Sequence, residues 1–147
     1  MNNKVYTRRE IEDSITVPVI TEIPLADKVK KTGDDVVVSE QATDEVAEAF
    51  RIFRTNLGFL TAGEKDHKVM MFTSFNVGAG KTFSVINLGV SLTFLKQKVL
   101  LLDLDLRKGT LTNRTNSPMP VGLTHYLSDS NVAVDEIIYK DRLAPNL

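Results

Sequence analysis

The chain has 147 residues, 18 Lys and Arg against 19 Asp and Glu, a formal net charge of −1, 42% hydrophobic residues and no cysteine. Balanced charge gives no sign of a nucleic-acid or acidic-polymer partner, and the lack of thiols excludes disulfides and thiolate metal sites. The length suits one domain with a core, and no run approaches a membrane span or a signal peptide.

Residues 1–24 are polar and end in Val17-Pro18-Val19-Ile20-Thr21-Glu22-Ile23-Pro24, whose β-branched residues predict a short peripheral strand broken by proline. Residues 25–41 carry Lys28, Lys30, Lys31, Gly33, Asp34 and Asp35, with Val36, Val37 and Val38 as the one apolar run, and read as a linker. A helix is expected from Thr43, which can serve as N-cap with Asp44 and Glu45 in a first turn that favours negative charge. Val46, Phe50, Phe53, Leu57 and Leu60 then form a core-facing seam about 80° wide. Glu48, Arg51 and Arg54 recur on the other side, and from spacing alone they read as a solvated face with weak ion pairing.

The apolar run at residues 69–72 reads as a buried strand leading into Asn76-Val-Gly-Ala-Gly-Lys-Thr82, a phosphate-binding loop. Gly78 and Gly80, lacking a Cβ, can adopt positive φ and turn backbone N–H groups toward a β-phosphate. Lys81 adds a point charge for the β/γ oxygens, and Thr82 is placed to ligate Mg²⁺. The first glycine of the usual eight-residue pattern is Phe75 here. Residues 82–96 are apolar around most of a helical circumference, the pattern of a buried helix.

Residues 99–106 form an apolar run interrupted by Asp103 and Asp105, which reads as a parallel strand whose end points into a crevice. The alternative is that both carboxylates are strand-end groups facing solvent. Residues 109–120 read as a surface loop, followed by short helices at 122–127 and 132–140. His67 and His125 lack ligand spacing, and Tyr6, Tyr126 and Tyr139 are isolated. The expected fold class is therefore α/β, a P-loop NTPase-like parallel sheet with flanking helices.

Three motifs in order, Glu48-Ala-Phe-Arg51-Ile-Phe-Arg54, Phe72-Thr-Ser-Phe-Asn-Val-Gly-Ala-Gly-Lys-Thr82 and Leu102-Asp-Leu-Asp-Leu-Arg-Lys108, resemble the cytoplasmic domain of bacterial tyrosine kinases. These are the autokinases of capsule and exopolysaccharide chain-length regulation, related to division-site and partitioning ATPases of the MinD/ParA type. The resemblance runs from about Val17 onward. It implies a juxtamembrane-like segment and linker over residues 1–41, and the first part of a kinase domain over 42–147, ending before the acidic Walker B strand. It implies ATP and Mg²⁺ held by Gly78, Ala79, Gly80, Lys81, Thr82 and Phe83, with Asp103 as candidate base and Asp105 as metal-shell ligand. The two acids are interchangeable in those roles, and Thr82, Asp103 and Asp105 form the metal set.

The same resemblance implies a homo-oligomeric ring packed through Glu48, Arg51 and Arg54. It also implies a transmembrane activator or transmembrane segments of its own, and a place at the inner face of the cell membrane. Val77 and Ala79 stand where the family has proline and glutamate, and Gly109 stands where it has proline. Two other functions fit the residues: a partitioning-type ATPase, or a non-catalytic module whose assembly responds to nucleotide. Because the Walker B strand lies between the other two in related ATPases, a chain ending at 147 is expected to leave both apolar strands unpaired and to aggregate.

Overall fold

The computed structural model describes residue 5 and residues 7–25, 35–63, 68–115 and 120–147. The expectations for Tyr6, Lys28, Lys30, Lys31, Gly33, Asp34 and His67 lie outside the described residues. Among the described residues five α-helices appear in chain order: α1 Arg8–Glu12, α2 Glu45–Leu60, α3 Lys81–Thr93, α4 Thr110–Arg114 and α5 Leu123–Ser128, followed by a 3₁₀ turn Val134–Glu136.

The longest helix, α2, is capped by Asp44, whose side chain accepts from the Ala47 N–H at 3.1 Å. The cap thus falls one residue after the expected Thr43. Glu45 and Glu48 sit in its first turn, where the partial positive charge of the helix N-terminus favours them. The seam points inward through Val46, Phe50, Phe53 and Leu57, while Leu60 at the helix end is exposed. Phe50 is fully buried, worth about 2–3 kcal/mol of apolar burial, and meets Phe53 at 6.5 Å and Phe83 at 5.9 Å between ring centroids.

Helix α3 lies against α2 and is buried along Ile86, Asn87, Leu88, Gly89, Val90 and Ser91. It ends at Thr93 with Phe94 as C-cap, and Lys96 in the turn that follows takes a left-handed φ of 59°. Val38, Phe50, Leu88 and Val90 form the centre of the core, with Ile23, Phe72, Phe83 and Leu147 packed around it.

The expected parallel sheet is not formed: among the described residues there is no strand at all. Residues 68–74 and 97–105 run without regular structure, each sending some side chains inward and others to solvent. Phe72 reaches Phe53 at 6.4 Å, and Leu101 rests on α3 at Gly89, whereas Val69, Met71, Leu100 and Leu102 stay exposed. No backbone ladder joins the two segments, and the backbone bond from Val99 N–H to Asn146 C=O at 2.9 Å ties the second one to the C-terminal residues. Apolar alternation supplied a buried face to each segment but no hydrogen-bonding neighbour, and a strand requires both.

Other differences are local. The peripheral strand expected at 17–24 is an irregular stretch held to α2 by Asn56, whose amide donates to the Ile20 carbonyl at 2.7 Å. The loop expected at 109–120 contains α4, and the helix expected at 132–140 shrinks to the single 3₁₀ turn.

Candidate functional site

The glycine loop leads directly into α3. Gly78 and Gly80 adopt φ of 82° and 86°, and the space where a Cβ would project is open at both. Left-handed backbone at these two positions is what a loop needs to aim successive N–H groups outward. Gly80 is the residue before the first turn of α3, and it accepts from Ser84 N–H at 2.9 Å. Lys81 is exposed, and Thr82 is half-buried beside it. Phe83 is turned away, edge-on to Phe50 in the core. The residues before the loop are bare: Phe75 and Val77 are fully in solvent.

Asp103 and Asp105 lie together at the end of the 97–105 segment. Asp103 Oδ1 accepts from Asp105 N–H at 3.1 Å, and Oδ2 accepts from the N–H and hydroxyl of Thr112 at 3.1 and 3.2 Å. Asp103 therefore acts as a remote cap for α4, whose own N-cap, Gly109, has no side chain to offer. Asp105 Oδ1 accepts from Lys108 N–H at 3.1 Å, closing the turn that follows. Asp103 thus has both oxygens engaged, whereas the Lys108 bond engages one oxygen of Asp105.

No hydrogen bond or ion pair joins Lys81 to either carboxylate. A cavity of about 610 Å³ is lined by Asp103, Thr112, Tyr126 and Tyr139, with none of residues 78–82 on its wall. Among the described residues no group of three or more His, Asp or Glu side chains converges as a metal site. What connects the two halves is indirect. Asn87 of α3 is fully buried; its Oδ1 accepts from Val37 N–H at 2.8 Å, and its Nδ2 donates to the carbonyls of Asp35 at 2.8 Å and Phe83 at 2.9 Å. Asp35 in turn accepts from Arg114 of α4 at 2.8 Å. An amide inside an otherwise apolar helix is the signal that marks Asn87 in the sequence, since a buried polar group must find partners.

The Glu48, Arg51 and Arg54 row is held within the chain. Arg51 pairs with Glu48 at 2.8 Å and donates to the carbonyls of Ala42 and Glu40. Arg54 crosses to α3 and donates to the Ser91 carbonyl at 2.7 Å. Burial, and secondarily the like charge of Arg51, pushes the Arg54 guanidinium below its ordinary value, but a guanidinium stays protonated throughout the working pH range. Beside this row a smaller groove is lined by Glu22, Glu45, Glu48 and Ile52. Among the described residues no helix is long and apolar enough to cross a membrane.

No protein-family model and no solved structure matches the chain. Curated proteins do. A candidate tyrosine-protein kinase in the cps region of Klebsiella pneumoniae is 33% identical over 130 residues, 84% of this chain and 18% of the relative. The candidate tyrosine-protein kinase EpsB of Ralstonia solanacearum is 25% identical over 142 residues, 90% of this chain and 19% of its own length. The tyrosine-protein kinase YwqD of Bacillus subtilis is 38% identical over 81 residues, 55% of this chain and 34% of its own. The chain thus spans under a fifth of the first two relatives, and over that part the resemblance to bacterial tyrosine kinases holds.

Proposed function

We propose that this chain, a relative of the bacterial tyrosine-protein kinases over part of their length, is the nucleotide-contacting part of a protein-tyrosine autokinase that regulates capsule or exopolysaccharide polymerisation and export. The observation that carries the reading is the loop: two glycines at positive φ, open space above both, and an exposed lysine at the start of a 13-residue helix. Amide dipoles and an ammonium group at one helix N-terminus favour a polyphosphate. The residues fit ATP phosphates on this ground: Gly78, Ala79, Gly80 and Lys81 would hold them, and Thr82 with Asp105 would meet Mg²⁺.

Phosphoryl transfer asks a protein mainly for positioning and charge neutralisation. Lys81 offsets phosphate charge, Asp105 is the carboxylate with the freer oxygen, and Asp103 holds the turn that presents it. Phe83 contributes its backbone at most, because its ring belongs to the core. The inner face of the cell membrane is the matching location, and a ring of copies through the Glu48, Arg51 and Arg54 helix is the matching assembly. Forming that ring requires Arg51 and Arg54 to exchange their internal carbonyl partners for groups on a neighbour.

Equilibrium binding of Mg-ADP tests the reading. The chain is expected to bind, and Lys81→Met is expected to lose at least tenfold in affinity, about 1.4 kcal/mol. Equal affinity in chain and variant overturns the assignment of Lys81.

A further inference from the structure

We infer that residues 35–38 are a strap that fixes the carboxylate-bearing segment relative to the lysine-bearing helix, with Asn87 and Arg114 as its positioning residues. The inference rests on the reading above, in which both halves serve one nucleotide. The sequence pattern assigned this stretch to a linker, and the structure gives it three directional contacts.

Asn87 binds the strap as a neighbouring backbone would. It accepts from Val37 N–H and donates to Asp35 C=O, two backbone groups on the same stretch, so its planar amide sets the register of the strap against α3. The other Nδ2 bond, to Phe83 C=O, reaches the first turn of α3, two residues after Lys81. Val38 follows into the core at 6% exposure, so a slip of the strap would expose it.

At its other side the strap presents the Asp35 carboxylate to Arg114. Asp35 is only 19% exposed, so the pair is better shielded than the Lys140 to Asp135 pair, whose two side chains are 69% and 80% exposed. Arg114 lies two residues after Thr112, whose N–H and hydroxyl hold Asp103. A continuous series of contacts therefore runs from the turn of Lys81 through Asn87, the strap and α4 to Asp103 and Asp105. Helix α3 also touches this part of the chain through Leu101 against Gly89 and through α4, which packs directly on it; among the described residues no hydrogen bond between side chains of α3 and either of these fixes their register. Packing of that kind lets the segment slide, and the strap is what opposes sliding. A partly exposed ion pair adds little to stability, so removing it separates geometry from folding.

The chain has no cysteine, so Thr55→Cys on α2 and Lys108→Cys after Asp105 can carry two spin labels in the full chain, both at exposed positions. Pulsed electron resonance should give a narrow distance distribution that broadens in Arg114→Gln, while the thermal midpoint stays nearly unchanged. Reversing the pair, Asp35→Arg with Arg114→Asp, should restore the narrow distribution and thereby exclude a non-specific effect of either change. Arg114→Gln should also weaken Mg-ADP binding by about fivefold, the lower end of usual site coupling. An unchanged distribution in Arg114→Gln overturns the strap. Broadening with unchanged nucleotide affinity overturns the positioning role. If the chain with both native residues binds no Mg-ADP, the nucleotide reading fails while the distance measurement still decides whether the strap holds geometry.

Discussion

Asn87 is the polar side chain on which the interior depends. Its side chain satisfies the Val37 N–H and the Asp35 carbonyl, which would otherwise sit beside an apolar core, and adds a bond to the Phe83 carbonyl one turn back in α3. Replacing it with Leu keeps the volume and strands those groups, so urea unfolding should show a loss of about 3 kcal/mol. Two glycines give a contrast in sign. Gly80 has φ of 86° with open space around it, so Gly80→Ala meets backbone strain alone and should cost about 1–2 kcal/mol. Gly58 lies in α2 with nothing within 4 Å of a Cβ, so Gly58→Ala should instead gain up to about 1 kcal/mol. Paired denaturation curves that move in the same direction would contradict this account of the loop.

The two long helices were legible in the sequence because each has one dominant pattern. The seam from Val46 to Leu57 in α2 and the near-continuous apolar surface of α3 both name their buried faces, and both bury them. The cap was misplaced by one residue, because Thr43 and Asp44 are both good N-caps and only the backbone decides between them. Asp44→Ala should therefore cost about 1 kcal/mol in unfolding free energy, and Thr43→Ala much less. The sheet was not legible, for a different reason. Alternating or continuous apolar residues at 69–72 and 99–106 state a preference for burial, but a ladder is a relation between two backbones, and nothing in either segment names its neighbour. The strap escaped for the same reason, since its partners Asn87 and Arg114 are 50 and 79 residues away along the chain. Of the candidate site, the glycine conformations could be read from residue type, whereas the use of Asp103 as a cap for α4 could not.

At the scale of the whole molecule, residues 69–72 and 97–106 leave a run of apolar side chains in water, among them Val69, Met71, Leu100, Leu102, Leu104 and Leu106. Extended backbone with exposed leucines invites edge pairing between copies. Sedimentation velocity should show association that rises with concentration, and Leu104→Lys should suppress it, because a charge on such an edge opposes stacking. Association unaffected by Leu104→Lys would place the sticky surface elsewhere. The uncovered leucines between Val99 and Leu106 also bear on the lifetime of the protein in a cell. Holdase chaperones and proteases both grip extended apolar backbone, so turnover is expected to follow how quickly this stretch is shielded after synthesis rather than how often the helices come apart.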